Sequence, residues 1–251
     1  MFLNSLKKKN VVITGSNKGI GKATLEDFSK QGANIFACVR KINKEFKDFT
    51  LKLKKKYKIK IHIIELDLSK KESIRECVNN IFKKEKKIDI LINNAGILFN
   101  SLFQMTSEKK LNEMFEVNFF SHILLTQLIS RNMLKYKKGN IIFVASTSGS
   151  RGDEGRFAYS ATKSAIINTT KTISKELARY NIRVNSISPG LTKTDLMTTN
   201  TKKEIIEKEI KNISLKRVAD PSEISSVILF LASEKSSYIN GQNIIVDGGY
   251  L

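Results

Sequence analysis

The glycine-rich turn at residues 15–21 constrains the fold of this chain more than any other feature. A run of mostly β-branched residues, Asn10–Thr14, leads directly into Gly15-Ser16-Asn17-Lys18-Gly19-Ile20-Gly21, and a helical apolar pattern continues to Gly32. Strand, glycine turn and helix in this order place the phosphates of a nucleotide against backbone N–H groups at the helix N-terminus. The glycine spacing is Gly-x3-Gly-x-Gly rather than the commoner Gly-x-Gly-x-x-Gly. Glycines are frequent in ordinary turns, but the flanking strand and helix favour nucleotide binding.

Strand-like runs and helical patterns alternate along the rest of the chain, roughly one pair every 30 residues. Further strands are predicted at residues 33–39, 60–68, 88–96, 140–145, 181–188 and 243–246, and helices at 44–57, 72–84, 107–133, from 159 onward, 202–211 and 221–231. Such alternation predicts a seven-stranded parallel sheet covered on both faces, which is the doubly wound α/β or Rossmann fold. Because the sequence contains no Pro/Gly/Ser-rich linker and no internal repeat, we expect residues 1–251 to form a single domain.

The charge of the chain limits the classes of partner. It has 44 Lys and Arg residues against 24 Asp and Glu, a net charge of +20 and a pI of about 9.8. Such a field attracts polyanions. The excess is mostly lysine, spread over segments such as 7–9, 54–56 and 83–87, as is typical of solvated faces. Since no basic groove with interleaved aromatic residues is evident, we expect no specific nucleic-acid binding, but a weak, salt-sensitive attraction to acidic partners.

The cysteines and the N-terminus bear on compartment. Cys38 and Cys77 lack metal-ligand spacing and lie in a predicted strand and a predicted helix, so we expect reduced, buried thiols and no metal site. Residues 1–3 are followed almost at once by charge, which predicts neither a signal peptide nor a membrane span. We therefore expect a cytoplasmic protein.

Charged residues near the ends of the second and third strands suggest how a dinucleotide would be held. Arg40 follows the second strand, where an Asp or Glu would accept from an unphosphorylated ribose 2′-OH, and Lys18 lies inside the glycine turn. Two cations and no carboxylate favour the 2′-phosphate of NADP(H), although both belong to a chain with a general lysine excess. Asp67 would either accept from the adenine amine or cap the next helix. Ala95 and Gly96 would let a cofactor lie close to the backbone.

Tyr159 and Lys163 are four residues apart, so on a helix their side chains lie on one face about one turn from each other. A neighbouring ammonium favours phenolate, so we expect the Tyr159 pKa to lie below the usual ~10 and the phenol to serve in acid–base chemistry. Ser146 closes a buried strand thirteen residues earlier, at the sheet edge where ligands bind in open α/β folds. Taken alone, the Tyr159–Lys163 pair favours chance spacing on a helix, and Ser146 is more often only a turn residue or a helix cap.

Two further segments are candidates for the site. Asn118 interrupts the long amphipathic helix, either as a core hydrogen-bonding residue or as a water ligand at a local helix distortion. The polar, threonine-rich stretch after Pro189-Gly190, together with the charged helix behind it, predicts a lid over the substrate around residues 191–215. Substrate specificity is then expected to reside in residues 149–157 and 191–211.

Together these motifs resemble the short-chain dehydrogenase/reductase family over essentially the whole chain. They occur in family order and spacing: Thr14-Gly15-x3-Gly19-Ile20-Gly21, Asp67, Asn93-Asn94-Ala95-Gly96, Asn118, Ser146, Tyr159-x3-Lys163 and Pro189-Gly190. The resemblance implies an enzyme with the catalytic residues Asn118, Ser146, Tyr159 and Lys163. It also implies a set of NADP(H)-binding residues, namely Gly15, Asn17, Lys18, Gly19, Ile20, Gly21, Arg40, Asp67, Leu68, Asn94, Ala95, Gly96, Tyr159, Lys163, Pro189, Gly190 and Thr192.

The C-terminal pattern Gly241-Gln242-x4-Asp247-Gly248-Gly249 is similar to the branch of that family that contains 3-oxoacyl-[acyl-carrier-protein] reductases of fatty acid biosynthesis. This resemblance implies NADPH-dependent reduction of a ketone, free or bound to an acyl carrier protein, by a homotetramer. Lys137 and Arg179 are candidates to meet an acidic carrier. Another alcohol/ketone pair, such as a sugar, polyol or steroid, stays open. A non-catalytic, cofactor-sensing relative would be expected to have lost Ser146, Tyr159 or Lys163, and this chain retains all three.

Overall fold

The computed structural model describes residues 6–201 and 203–250. Residues 1–5, 202 and 251 lie outside the described residues. Three predictions involve those positions. They are the outer limits of the domain, the localisation predicted from residues 1–3, and the helix start at residue 202.

Seven parallel strands form one sheet, and their bounds follow the alternation predicted from the sequence. The strands are β1 (Asn10–Thr14), β2 (Asn34–Val39), β3 (Ile61–Glu65), β4 (Ile90–Asn93), β5 (Gly139–Val144), β6 (Ile182–Pro189) and β7 (Asn243–Val246). Their order across the sheet is β3-β2-β1-β4-β5-β6-β7. The chain therefore builds the sheet outward from β1 in one direction and from β4 in the other. This reversal is the topological switch point at which doubly wound sheets bind ligands beyond the carboxyl ends of their strands.

Helices connect the strands and cover both faces of the sheet. They are α1 (Gly19–Lys30), α2 (Lys44–Tyr57), α3 (Lys71–Phe82), α4 (Glu108–Phe115), α5 (Ser121–Tyr136), α6 (Ser148–Arg151), α7 (Phe157–Ala178), α8 (Asp195–Asn200), α9 (Lys203–Asn212) and α10 (Pro221–Ala232). Helix α10 begins at the capping box formed by Asp220 and Glu223, with Pro221 in its first turn.

Alternate residues of the strands supply two hydrophobic cores. Val11 and Ile13 belong to the core that includes α1, α2 and α10, whereas Val12 between them belongs to the core that includes α3, α5 and α7. Side chains of a strand point alternately to opposite faces, so a strand buried on both sides contains an unbroken apolar run. The doubly wound, single-domain α/β fold is thereby confirmed.

The predicted helix at 107–133 differs from the observed structure in a way that concerns the site. It consists of α4, a π-helical turn at Glu116–Phe120, and α5, which ends at Tyr136. Asn118 lies in the π-helical turn and is fully buried. A single π-helical turn inside an α-helix arises where one extra residue is accommodated, frequently at a functional site. A helix distortion at Asn118, which was one of the two alternatives raised by the sequence, is therefore present.

Candidate functional site

A cleft of about 870 Å³ opens at the carboxyl ends of the central strands. This volume lies within the range of about 300–1,000 Å³ that is usual for sites of small molecules and cofactors. Of the residues predicted from the sequence to bind a cofactor or act in catalysis, all line the cleft except Gly21 and Asn118. The structure therefore brings nearly all of the predicted residues into one cleft, although further residues also line it.

The glycine turn at the end of β1 is closed by backbone contacts that leave no room for larger residues. Gly15 and Gly19 have φ angles of +67° and +52°, a region that favours glycine. A Cβ on Gly21 would lie 2.1 Å from the carbonyl oxygen of Gly15. Gly21 therefore contributes to the site by letting α1 approach the turn, which explains why it is buried and does not line the cleft.

The N-terminus of α1 has the properties of an anion site. In the described structure, no side chain caps this helix and its first turn carries no acidic residue. The first backbone N–H groups of a helix lack partners within the helix, and the helix dipole places partial positive charge at this end. The cradle formed by the turn and the helix thus fits a diphosphate group.

Asn94 and Thr14 join the ends of β1 and β4 at the floor of the cleft. The Asn94 side chain donates to the Thr14 carbonyl at 2.9 Å, and the Thr14 hydroxyl accepts from the backbone N–H groups of Asn94 and Ala95 at 2.9 and 3.0 Å. These bonds fix the turn to the neighbouring strand.

Lys18, Arg40 and Asp67 lie at the end of the cleft where an adenosine would bind, and two of them have partners. The Lys18 ammonium lies 3.7 Å from a carboxylate oxygen of Asp195, at the start of α8. Asp67 accepts from the N–H and hydroxyl of Ser69, and the hydroxyl bond holds the pKa of Asp67 below its usual value. Because the N-cap position of α3 is Lys70, the alternative that Asp67 caps this helix is wrong.

Ser146, Tyr159 and Lys163 converge in the cleft and are buried, with exposed fractions of 9%, 9% and 4%. The Ser146 hydroxyl lies close enough to that of Tyr159 to lower the pKa of the phenol through hydrogen bonding. The Lys163 ammonium lies 5.6 Å from the centroid of the Tyr159 ring and donates to the carbonyl of Val144 at 2.8 Å. Strand β5 positions the serine and α7 positions the other two, as their spacing in the sequence predicts.

The expected direction of the Tyr159 pKa shift is wrong for this structure. Burial raises the pKa of Tyr159 above its usual 10.0, and the hydrogen bond from Ser146 only partly opposes this effect. Burial also lowers the pKa of Lys163 from 10.5 to about 8. Both shifts have one cause, since a site removed from water disfavours the charged form of any group. The sequence showed that the two groups are neighbours but not how dry their surroundings are.

Asn118 and His122 support the wall of the cleft from α5 and the π-helical turn before it. The Asn118 side chain bonds both the N–H and the carbonyl of Ile97 at 2.9 Å, and lies 3.4 Å from the Thr162 hydroxyl. His122, which the sequence reasoning missed, donates from Nε2 to the Ala95 carbonyl at 2.8 Å. Burial is the larger cause and the charge of Lys163 the smaller cause that lower the pKa of His122 to about 4. The ring is therefore neutral at pH 7. Its position four residues after Asn118 was the available signal.

Charged and aromatic residues that were not predicted individually also line the cleft. Arg151, Asp153 and Arg156 come from the loop between β5 and α7, Glu209 from α9, and Tyr250 from the chain beyond β7. Four of them fall in the segments 149–157 and 191–211, where specificity was expected to reside. Tyr250 lies outside both segments, and no feature of the sequence pointed to it.

The cysteines lie behind the cleft. Cys38 and Cys77 are free and buried, and their sulfur atoms are 3.7 Å apart. The contact with Cys77, together with burial, raises the pKa of the Cys38 thiol well above its usual value. Within the described part of the chain, no group of three or more His, Cys, Asp or Glu side chains is arranged to hold a metal ion. Across residues 6–201 and 203–250, every helix is too short or too polar to cross a bilayer.

Comparison with known proteins identifies the family. A family model described as enoyl-(acyl carrier protein) reductase matches residues 15–251. The 3-oxoacyl-[acyl-carrier-protein] reductases of Aquifex aeolicus and Thermotoga maritima are 37% and 38% identical to the chain over 244 residues, or 97% of this chain and 98% of each relative. The chain belongs to the short-chain dehydrogenase/reductase family. An NAD-dependent glycerol dehydrogenase of Listeria innocua is 34% identical over 246 residues, or 98% of this chain and 95% of that relative.

Membership of the short-chain dehydrogenase/reductase family makes the protein an oxidoreductase and confirms the resemblance drawn from its motifs. Its relatives differ in the activity that their names state, since they include reductases of carrier-bound 3-oxoacyl groups and a dehydrogenase of glycerol. The geometry of the cleft must therefore carry the argument about substrate and cofactor.

Proposed function

We propose that this protein reduces a ketone to a secondary alcohol with NADPH, and that its substrate is a 3-oxoacyl thioester of an acyl carrier protein. The meeting of the Ser146 and Tyr159 hydroxyls beside Lys163 in the cleft is the observation that carries the proposal. Two hydroxyls at one point suit a carbonyl oxygen, which accepts two hydrogen bonds through its two lone pairs. The names of the Aquifex and Thermotoga relatives support the 3-oxoacyl substrate.

The cofactor proposal rests on the fit of the residues present. The glycine turn and the uncapped N-terminus of α1 would hold the diphosphate, and Arg40 and Lys18 would hold the 2′-phosphate. Asp67 and Leu68 would contact the adenine, while Pro189, Gly190 and Thr192 would contact the nicotinamide, and all of them line the cleft. A reduced nicotinamide, when bound, supplies the hydride.

Tyr159 is proposed as the general acid that protonates the carbonyl oxygen. Its raised pKa keeps the phenol protonated at neutral pH, so the proton is present when it is needed. Ser146 would donate a second hydrogen bond to the same oxygen. The Lys163 ammonium would stabilise the phenolate left after proton transfer and hold the ribose hydroxyls of the nicotinamide.

Asn118 is proposed to help replace the proton lost from Tyr159. A Cβ built on Gly96 would lie 3.2 Å from the Asn118 carbonyl oxygen and 3.8 Å from the Lys163 ammonium, so both groups face the space beside this glycine. A water held there by the asparagine would connect Lys163 to solvent. The π-helical turn serves this arrangement because it aims Asn118 inward.

A polyol dehydrogenase is the second candidate. The glycerol dehydrogenase relative favours it, as do the polar side chains at the substrate end, which would suit a hydroxylated substrate. The same residues, Tyr159, Ser146 and Lys163, would then remove a proton from an alcohol. The two candidates share a mechanism and differ in substrate, direction and cofactor.

We further propose a cytoplasmic homotetramer in which residues 191–215 close over the substrate. Large exposed apolar side chains, including Phe103, Met105 and Phe120, support burial against other subunits. Lys137 at the end of α5 and Arg179 at the end of α7 are proposed to attract an acidic carrier protein. Size-exclusion chromatography with light scattering would test the tetramer, and a monomer at micromolar concentration would contradict it.

A substrate panel with both nicotinamides tests the function. We expect NADPH-dependent turnover of acetoacetyl thioesters, no turnover of the matching 2-enoyl thioester, and weak or no oxidation of glycerol with NAD or NADP. Tyr159→Phe should lower kcat by at least about 100-fold, while Tyr180→Phe serves as the matched control outside the cleft. A normal rate for Tyr159→Phe, or turnover of glycerol alone, would refute the proposal.

Arg40→Asp tests the cofactor separately. A carboxylate at this position would repel a 2′-phosphate and accept from a free 2′-OH, so preference should move from NADPH toward NADH. The proposal that Arg40 and Lys18 bind the 2′-phosphate would be contradicted if the unaltered enzyme had the same kcat/KM with NADH and NADPH, or if the substitution had no effect on that preference. Lys47→Asp, at an exposed position of α2 that does not line the cleft, provides the control for general surface charge.

A further inference from the structure

Six side chains form a charged group at the substrate end of the cleft, which we call the Asp153 cluster. Its members are Ser148, Arg151, Asp153, Arg156, Glu209 and Tyr250. They come from three separate parts of the chain that the fold brings together: the loop before α7, helix α9 and the residues after β7. The mechanism proposed above uses none of them.

Asp153 is the centre of the cluster. Its carboxylate accepts from the Ser148 hydroxyl, from Nε of Arg151 at 2.8 Å and from the second guanidinium nitrogen of Arg151, and it pairs with Arg156 at 3.4 Å. The side chain is only 12% exposed. Burial alone would raise the pKa of Asp153, but the bonds from Ser148 and Arg151 lower it below the usual value. The carboxylate is therefore ionised and fully engaged at neutral pH.

The cluster reaches Ser146 through Ser148. The Ser148 hydroxyl binds Asp153, and the Ser148 backbone N–H donates to the Ser146 hydroxyl oxygen at 3.2 Å. A donor on that oxygen orients the Ser146 hydroxyl, whose proton is then directed into the cleft. Asp153 thereby fixes Ser148, whose backbone N–H binds the Ser146 hydroxyl.

The cluster reaches Tyr159 through Arg156. The Arg156 N–H donates to the Asp153 carbonyl at 3.1 Å, and the Arg156 carbonyl accepts from Ser160 at 2.8 Å in the first turn of α7. Arg156 occupies the N-cap position of that helix. The Asp153 side chain and backbone thus anchor the start of the helix that carries Tyr159.

Arg151 connects the same carboxylate to the proposed lid. Its guanidinium lies 3.9 Å above the centroid of the Tyr250 ring and 3.7 Å from a carboxylate oxygen of Glu209, which accepts from the Tyr250 hydroxyl at 2.6 Å. A guanidinium held by two carboxylates and an aromatic face keeps a defined orientation.

We propose that Asp153 is a positioning residue that sets the orientation of Ser146 and the placement of Tyr159, and that Arg151 couples this arrangement to closure of residues 191–215 over the substrate. The inference rests on the proposed function of Ser146 and Tyr159. Asp153 touches neither the cofactor residues nor the reacting hydroxyls, so its loss should affect the chemical step more than nucleotide binding.

Charge supplies a second readout that a merely structural role would not move. Charged groups that line the same cleft as Tyr159 come from the loop, from α7, from α4 and from α9, and they include Arg151, Asp153, Arg156, Lys163, Glu113 and Glu209. Among them, Arg156 lowers the pKa of Tyr159 and Asp153 raises it. Removing one charge or the other should therefore move the pH at which Tyr159 itself loses its proton, which lies above 10, in opposite directions.

The test compares Asp153→Asn and Arg156→Gln with Glu154→Gln, an exposed neighbour, as the control. We expect Asp153→Asn to lower kcat for an acetoacetyl thioester by about tenfold or more while the Kd for NADPH, followed by nucleotide fluorescence, changes less than about twofold. The limb of kcat above pH 10, where Tyr159 itself titrates, should shift to lower pH in Asp153→Asn and to higher pH in Arg156→Gln. Arg151→Gln should raise KM more than it lowers kcat.

The outcomes separate this inference from the proposed function. If the unaltered enzyme binds NADPH but reduces no 3-oxoacyl thioester, the proposed substrate is wrong. If it is active and Asp153→Asn retains its kcat and pH profile, the positioning role is wrong and the proposed function stands. Should Asp153→Asn fail to fold by circular dichroism, Ser148→Ala decides the question, since it removes one donor to Asp153 and keeps the backbone N–H that binds Ser146. An unchanged kcat in Ser148→Ala would then overturn the inference.

Discussion

Replacing Lys163 by Met should stabilise the protein at neutral pH, although it removes a proposed catalytic residue. Burial holds the Lys163 pKa at about 8, against 10.5 for the exposed group. At pH 7 the charged ammonium must be buried when the protein folds. The difference in pKa means that this burial opposes folding by about 3 kcal/mol. The variant loses the bond to the Val144 carbonyl, which costs about 1–2 kcal/mol. The net gain is about 1–2 kcal/mol, or a rise in Tm of roughly 2–8 °C for a chain of this size.

The sign of the effect depends on pH. The folded pKa of Lys163 is depressed, so the unfolded chain binds more protons than the folded protein between pH 8 and 10.5. The stability of the unaltered protein contributed by this group therefore rises with pH across that interval. The advantage of the Met variant should be largest below pH 8 and should shrink above it. It should reverse near pH 10, where only the lost hydrogen bond remains.

Thermal unfolding by circular dichroism at pH 6.5, 8 and 9.5 measures the effect, at one protein concentration and without added nicotinamide. Lys175→Met, on an exposed position of the same helix, is the control, and it should show little pH-dependent difference. A Met variant that is less stable than the unaltered protein at pH 6.5, or a difference in Tm that does not change with pH, would refute the reasoning about burial.

Two other substitutions test the architecture of the site. Asn118→Ala should lower the free energy of unfolding by about 2–3 kcal/mol because it orphans the N–H and carbonyl of Ile97, whereas Asn112→Ala on the exposed face of α4 should have little effect in the same denaturant titration. Gly21→Ala should weaken nucleotide binding by at least about tenfold, because its Cβ would lie 2.1 Å from the Gly15 carbonyl and displace the glycine turn. Retained affinity in a fluorescence titration would contradict that account of the turn.

The parts of the site that the sequence predicts are those set by short-range geometry. The glycine turn lies within seven residues, and Tyr159 and Lys163 lie one helical turn apart, so local spacing determines what each group meets. The limits of β3 show where such reasoning fails. A strand was predicted to residue 68, yet β3 ends at Glu65, since the backbone ladder to β2 ends there while Leu66 and Leu68 remain buried. An apolar run in the sequence indicates which residues are buried, and the buried residues here continue past the point where β3 stops pairing with β2.

The parts that the sequence does not predict depend on contacts between distant segments. Tyr250 and Glu209 meet Arg151 across 99 and 58 residues of chain, and no periodicity connects them. The predicted direction of the Tyr159 pKa shift was wrong for a related reason. Its direction depends on the balance between one nearby cation and the dryness of the whole cleft, and the second quantity exists only once the sheet, α5 and α7 have packed together.

Burial of both groups leads to a final prediction about the pH dependence of reduction. Proton donation leaves a phenolate in a dry cleft, and the nearby Lys163 ammonium is the group proposed to stabilise it. Because the pKa of Lys163 is about 8 and that of Tyr159 lies above 10.0, kcat should fall as pH rises through about 8, before Tyr159 itself loses its proton. Lys163→Arg retains the positive charge, and a guanidinium stays protonated throughout this range. Its kcat is expected to be lower at pH 7, since the larger group fits less well beside Val144, but to show no limb near pH 8. If the limb near pH 8 persists unchanged in Lys163→Arg, it belongs to the titration of another group, and Lys163 has no part in the proton-transfer step.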